Sequence, residues 1–192
     1  MAVRSYFIQY RFILPDNIKH SSYTYQKIFR AIYGYTQDVF KANGKNYKYS
    51  RPGVLSKYPY IRPGKNCVII PTAAFQSLQE FFKTGKNPAH NWVTKGEWKC
   101  TYFMNEKDVD EKQITTALEE FILRKFIDVE DKSISLMDEM KRTLQNPEST
   151  KEYKSLLIRD AQPIIESEWF KDSVSHSSVL NEFLSTYKAL KA

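Results

Sequence analysis

Asn66-Cys67-Val68-Ile69-Ile70-Pro71-Thr72 is the stretch on which the reading of the fold turns. Its four residues from Cys67 to Ile70 form a continuous apolar run bounded by breakers, the pattern of a strand buried on both faces and therefore central in a sheet. Downstream, Thr72 can cap a helix that places Phe75, Leu78, Phe81 and Phe82 on one face and stops at Gly85. Residues from about Trp92 to Met104 follow as a strand, with Trp98, Cys100, Tyr102 and Met104 alternating against Lys99, Thr101 and Phe103.

Upstream lies the most unusual composition in the chain. From Val39 to Gln79 there are seven cations, Lys41, Lys45, Lys48, Arg51, Lys57, Arg62 and Lys65, and no acid. Tyr47, Tyr49, Tyr58 and Tyr60 are interleaved with them, and two Arg-Pro-Gly triplets, Arg51-Pro52-Gly53 and Arg62-Pro63-Gly64, punctuate the stretch. Each triplet predicts a type II turn, with proline fixing the first φ and glycine taking the positive one. Tyr47 to Ser50 reads as the start of a second strand, with both corners between it and the strand at Asn66 to Ile70.

Before the basic stretch, apolar residues at Tyr25, Ile28, Phe29 and Ile32 have helical spacing, with Ser21 or Ser22 as cap and Gly34 as cap or interruption. A further helical turn is expected through Val39 and Phe40, ending at Asn43-Gly44. Residues 3 to 14 alternate as a strand, with Tyr6, Ile8, Tyr10, Phe12 and Leu14 on one face. The order strand, helix, strand, strand, helix, strand is that of a ferredoxin-like β-α-β-β-α-β unit. The fold class expected is thus α+β: a ferredoxin-like half, residues 1–104, followed by an α-helical C-terminal half, residues 105–192.

That second half reads as helices over Asp108 to Asp128, Asp131 to Leu144, Tyr153 to Ile158, Ile164 to Phe170 on the far side of Pro163, and Val179 to Leu190. Its stripes carry Phe121, Phe126, Trp169 and Phe183. Burying each such side chain contributes roughly 1.5 to 3 kcal/mol, so apolar packing onto the basic half, rather than charge, is expected to decide where these helices go.

Charge divides the chain at the same place. Residues 1–104 hold sixteen Lys or Arg against four Asp or Glu, or +12, whereas residues 105–192 hold thirteen against eighteen, or −5. A polyanion would meet the first half, because phosphate contacts follow local charge. Guanidinium and ammonium groups pair with phosphates, and tyrosine faces stack on unpaired bases. The nucleic-acid-binding candidates are Lys45, Tyr47, Lys48, Tyr49, Arg51, Lys57, Tyr58, Tyr60, Arg62 and Lys65, with RNA or single-stranded DNA favoured and a place in a nucleoprotein complex in view. The competing reading of the same residues is a solvated basic loop with its tyrosines turned to the core.

Chemistry has little foothold. His20, His90 and His176 lie outside metal-ligand spacing of one another and of Cys67 and Cys100, and no Walker A, GxGxxG, GxSxG, HExxH or DxDxDG pattern occurs. No metal and no cofactor is expected. The Lys/Arg-Gly-Phe/Tyr-Gly/Ala-Phe signature of the RRM is also missing, although an open-face mode through Phe7 and Arg11 stays available. His20, next to Tyr23, Tyr25 and Lys27, could serve as general base on a ribose 2′-hydroxyl. That arrangement loosely resembles the CRISPR RNA-processing nucleases, which cleave without metal on similar folds, but their glycine-rich loop near the C-terminus is absent here. The alternatives to nucleic-acid binding are therefore a metal-independent endoribonuclease using His20, and a non-catalytic interaction or inhibitor module. A protein partner would be met by the C-terminal helices. Two isolated cysteines, expected buried, no apolar leader and no membrane-length apolar run read as a soluble cytoplasmic protein without a membrane partner.

Overall fold

The computed structural model describes residues 2–19, 21–40, 44, 46–87, 90–93, 98–129 and 132–192; at Ala2, 46–48, Asn87, 90–93 and Lys132 it describes the backbone alone. In chain order the elements are β1 (Ala2–Ile13), α1 (Tyr23–Tyr33), β2 (Tyr35–Phe40), β3 (Asn46–Arg51), a 3-10 turn (Val54–Lys57), β4 (Ile61–Gly64), β5 (Cys67–Pro71), a 3-10 turn (Thr72–Ala74), α2 (Phe75–Thr84), β6 (Lys86–Asn87), β7 (His90–Val93) and β8 (Lys99–Asp110). There follow α3 (Glu111–Leu123), β9 (Phe126–Val129), β10 (Lys132–Ser135), α4 (Leu136–Gln145), α5 (Lys151–Ile165), α6 (Glu168–Ser173), a 3-10 turn (Val174–His176) and α7 (Ser178–Lys191). The protein is mixed α and β, and it divides into two compact units, Arg4–Lys107 and Met1–Val3 with Asp108–Ala192.

The first unit is built on a four-stranded antiparallel sheet in the order β4-β5-β1-β8. The apolar run Cys67–Ile70 is an interior strand, as its composition requires, and pairs with β1 in the register Tyr6↔Ile70 and Ile8↔Val68. The even-numbered residues Ile8, Tyr10 and Phe12 of β1 and Val68 and Ile70 of β5 meet Ile28 and Ile32 of α1 and Leu78, Phe81 and Phe82 of α2 in one core. Trp98, Cys100, Tyr102 and Met104 join it from β8 and the residue before it. The interior is unusually aromatic. Phe12 is edge-on to Trp98 at 5.2 Å and to Phe29 at 5.7 Å, geometry that aligns ring edges with ring faces.

Both cysteines are half-buried free thiols rather than buried ones. Burial nevertheless pushes the Cys100 thiol up to about 12, which leaves it protonated and weakly nucleophilic.

Four expectations about the first unit are corrected. The segment through Val39 and Phe40 is strand β2, not a helical turn, and it pairs with β3 from Tyr35↔Arg51 to Phe40↔Asn46 in a separate two-stranded ribbon. Tyr47 to Ser50 therefore does not begin the second strand of the main sheet; β4 fills that place. Neither Arg-Pro-Gly triplet forms the expected turn, since positive φ occurs in the unit at Gly34, Gly44, Gly85 and Asn66 but at neither triplet glycine. Arg62-Pro63-Gly64 lies within β4, and the turn into β5 is made by Lys65 and Asn66, the latter at φ 56°. Finally, Trp92 and Val93 belong to β7, paired with β6, and not to β8.

In the second unit, α7 packs against α3, α4 and α5, and α6 against α3 and α5. Trp169, Phe170 and Phe183 are fully enclosed. The helices are shorter than the sequence suggests at two places. Asp110 caps α3, accepting from the Lys112 N–H at 2.9 Å, so residues 108–110 stay in β8. Phe126–Val129 and Lys132–Ser135 form a hairpin, because Lys125 and Phe126 fall beyond the end of α3 and Ser135 caps α4 through the Asp138 N–H. Conversely, Pro163 lies inside α5 instead of dividing two helices; it cannot donate to the Arg159 carbonyl, but it falls in the last turn, so that single ladder bond is lost close to where the helix ends. Among the described residues no helix is long and apolar enough to cross a membrane.

Candidate nucleic-acid interface

The basic stretch folds as a ribbon and a loop around the C-terminal end of α1. Gly34 ends that helix, its N–H donating to the Arg30 carbonyl at 2.8 Å, and its φ of 73° turns the chain into β2. After the ribbon the chain returns to the same point. A Cβ on Gly53 would lie 2.3 Å from the Gly34 nitrogen and 2.7 Å from the Ile32 carbonyl, so glycine is required there for close approach of two backbones. Ser56 completes the junction: its Oγ accepts from the Gly53 N–H at 2.7 Å. Both ends of the ribbon are thereby fastened to the core.

Five of the six residues of β2 are exposed, and Phe40 is 77% exposed. Since β residues alternate between faces, exposure of successive residues leaves both faces of this strand open. Gly44 at the tip has φ 73° and open space around it.

At the base of the ribbon, cations lie over aromatic rings. The Arg51 guanidinium is 5.7 Å from the ring of half-buried Tyr49, and Arg51 stands opposite Tyr35 in the register. Arg30 reaches Tyr35 at 4.8 Å and Tyr23 at 5.8 Å, and the Lys27 ammonium lies 4.7 Å over Tyr23. Each such contact contributes about 0.5 to 1 kcal/mol at an exposed site and leaves the cation able to reach a phosphate. On the loop side, Arg62 is exposed and sits 4.4 Å over the ring of Tyr33. Tyr33 in turn meets Tyr60 at 5.2 Å between ring centres, and its hydroxyl shares a 2.7 Å hydrogen bond with the Tyr10 hydroxyl. Burial raises both Tyr10 and Tyr33 above the ordinary phenol range, so both hydroxyls stay neutral at physiological pH.

The expected residues are thus sorted. Arg51, Lys57, Arg62 and Lys65 are exposed cations, and Tyr49 is half-buried beside Arg51. Tyr58 and Tyr60 are half-buried and pack against the core, the role of core aromatics rather than of free stacking platforms. Tyr47 and Lys48 are placed by their backbone in β3, and Lys45 and His20 lie outside the described residues. The nucleic-acid-binding candidates read from the sequence leave out Tyr23, Lys27, Arg30, Tyr35 and Phe40, of which Tyr23 and Lys27 were named only beside His20. The signal for three of them was present: positions 23, 27 and 30 follow one helical stripe on the side of α1 away from Tyr25, Ile28 and Ile32.

The second unit has an acidic depression of about 460 Å³ lined by Asp110, Glu111, Lys112, Thr115, Thr116, Glu119 and His176. His176 pairs with Glu111 at 2.5 Å, and the Ser177 hydroxyl donates to Glu119 at 2.6 Å. These contacts join the 3-10 turn and the cap of α7 to α3, and no group of three or more metal-ligating side chains occurs among the described residues. No known protein family, curated protein or solved structure matches the chain.

Proposed function

We propose that the protein binds nucleic acid, RNA or single-stranded DNA in the first instance, through the β2–β3 ribbon and the adjoining Lys57–Lys65 loop. The observation that carries the reading is the ribbon: a two-stranded arm none of whose described residues enters the core cluster, anchored at its base by a close backbone contact, open on both faces of β2 and flanked by cations. Isolated two-stranded hairpins are marginal in water, so an arm of this kind is retained at a cost in stability that binding can offset. Arg51, Lys57, Arg62 and Lys65 supply phosphate contacts. Arg30 and Lys27 extend the positive surface, and Phe40, Tyr35 and Tyr23 offer exposed rings. The strand order β4-β5-β1-β8, with α1 and α2 in the two crossovers, supports a ferredoxin-like reading of this unit, with the ribbon as an insertion after α1.

Affinity measured for single-stranded and duplex RNA and DNA over a salt series tests this. Binding should weaken steeply with salt, because each phosphate contact releases a counterion. Binding that is absent at low salt rejects the proposal. The same reactions report cleavage; metal-independent RNA cleavage abolished in His20→Ala would favour the ribonuclease reading instead.

A further inference from the structure

The sheet of the first unit has a second face, turned away from the aromatic core. On β1 and β8 the core takes Ile8, Tyr10, Phe12, Cys100, Tyr102 and Met104, so the odd-numbered residues of both strands point the other way. Part of that face is closed, since Ser5 and Ile69 are buried. The part formed by Gln9–Ile13 of β1 and Lys99–Lys107 of β8 is open. Phe103, in the middle of a strand, is 62% exposed, while Tyr102 and Met104 on either side of it pack inward.

Two contacts align the strands. The Cys100 thiol lies against the Arg11 backbone, and the Lys107 ammonium sits 5.7 Å over the Phe7 ring. Phe103 falls between these anchors, with exposed Arg11 and Lys99 towards one end and Lys107 at the other. The outward positions of β1 and of Lys99–Lys107 carry no acid: β1 has none, and Glu106 belongs to the other alternation and pairs with Arg4. An exposed ring on an acid-free surface bordered by cations at both ends has the charge and the shape for a phosphate backbone with a base stacked between the phosphates.

We propose that this face is a second contact surface, specific for single-stranded nucleic acid, in which an unpaired base stacks on Phe103 while Arg11, Lys99 and Lys107 hold the flanking phosphates. The proposal rests on the nucleic-acid reading of the ribbon but uses different residues. It assigns discrimination between single strands and duplexes to the sheet, because a paired base cannot offer its face to Phe103.

Affinities of wild type, Phe103→Ala and Phe103→Trp for an unstructured oligouridine, an oligothymidine and a duplex of equal length separate the outcomes. Phe103→Ala should weaken single-strand binding by about 5- to 150-fold and leave duplex affinity unchanged. Phe103→Trp should keep single-strand affinity and acquire a tryptophan signal that the single strand quenches. Phe103 is exposed, so both variants should unfold at the wild-type temperature. Unchanged single-strand affinity in Phe103→Ala with no quenching in Phe103→Trp, while the ribbon cations remain essential, overturns this proposal and leaves the ribbon reading standing. An acidic peptide that binds the wild type in preference to either oligonucleotide, and depends on Phe103, overturns it in favour of a protein partner. Failure of the wild type to bind any nucleic acid overturns both.

Discussion

Gly34 and Gly53 meet main chain to main chain: a Cβ on Gly53 would stand 2.3 Å from the Gly34 nitrogen, and one on Gly34 would stand 2.9 Å from the Gly53 nitrogen and 2.7 Å from the Arg51 carbonyl oxygen. The pair closes the base of the ribbon, just before β2 and just after β3. Gly53→Ala should lower stability by about 1–3 kcal/mol, the usual cost of forcing a methyl group into a filled space. Gly34→Ala should cost at least as much, because it adds the strain of a positive φ. Thermal or denaturant unfolding checks both, and a neutral Gly53→Ala would show that the two backbones separate freely.

Tyr10 and Tyr33 give the first unit an alkaline limit. Burial is the main reason that both titrate above the ordinary phenol range. Below pH about 10 folded and unfolded chains both hold the phenol protons, and the hydroxyl pair contributes fully. Above that pH the unfolded chain releases protons that the folded one keeps, so stability should fall by about 1.4 kcal/mol per pH unit for each tyrosine until the folded group ionises. Urea unfolding of the wild type and Tyr10→Phe between about pH 10 and 11.5 measures this. The variant should show a shallower decline by about one proton; identical slopes would place the Tyr10 hydroxyl in contact with water.

In the second unit, Glu139 is buried in α4 and its Oε1 accepts from the Tyr153 hydroxyl of α5 and from Arg142 Nη2, each at 2.8 Å. Its Oε2 has no hydrogen-bond partner among the described residues. Removing the phenol hydroxyl leaves the carboxyl group less well satisfied in a buried place. Tyr153→Phe should therefore destabilise the protein by about 1–3 kcal/mol, read from the denaturant midpoint at constant m. A more stable variant would indicate that water replaces the hydroxyl.

Most of the sheet and its core was legible in the sequence because its signals are local. The alternation of β1, the apolar run of β5 and the stripes of α1 and α2 each follow from period and composition alone. The ribbon was legible only in part: Tyr47–Ser50 reads as a strand, but its partner and its place outside the main sheet do not. Tyr35–Phe40 alternates weakly and has no buried face, so its pairing with Asn46–Arg51 depends on a junction between Gly34 and Gly53, nineteen residues apart in the chain. The same distance effect misled the reading of the triplets. Gly53 serves a backbone contact and Gly64 sits in a strand, whereas the turn conformation fell to Asn66, whose side chain tolerates it.

In the candidate interface, the exposed cations Arg51, Lys57, Arg62 and Lys65 were visible as charge. Charge could not tell which tyrosines would face out. Tyr58 and Tyr60 are drawn in by the core, while Tyr23 and Tyr35 are left to Lys27 and Arg30.

A subtler expectation concerns Arg30, whose guanidinium lies over both Tyr23 and Tyr35. Arg30→Lys keeps the charge but removes the planar group that stacks. It should leave the salt dependence of nucleic-acid binding unchanged and reduce affinity by only a few fold, since one exposed cation–π contact is worth about 0.5 to 1 kcal/mol. Equilibrium titration at two salt concentrations reads both quantities. A salt slope that changes as much as in Arg30→Ala would place the charge of Arg30, rather than its plane, at the contact.

Whether the ribbon and its loop touch phosphates is read from the salt dependence of affinity. With Arg51, Lys57, Arg62 and Lys65 all replaced by alanine, the slope of log affinity against log salt should flatten by roughly 0.7 to 0.9 for each phosphate that the variant no longer neutralises. All four side chains are exposed, so the variant should still fold, losing only the contacts of Arg51 with Tyr49 and Arg62 with Tyr33, about 0.5 to 1 kcal/mol each. A folded quadruple variant that binds with the wild-type slope would mean that these cations do not meet the phosphate backbone.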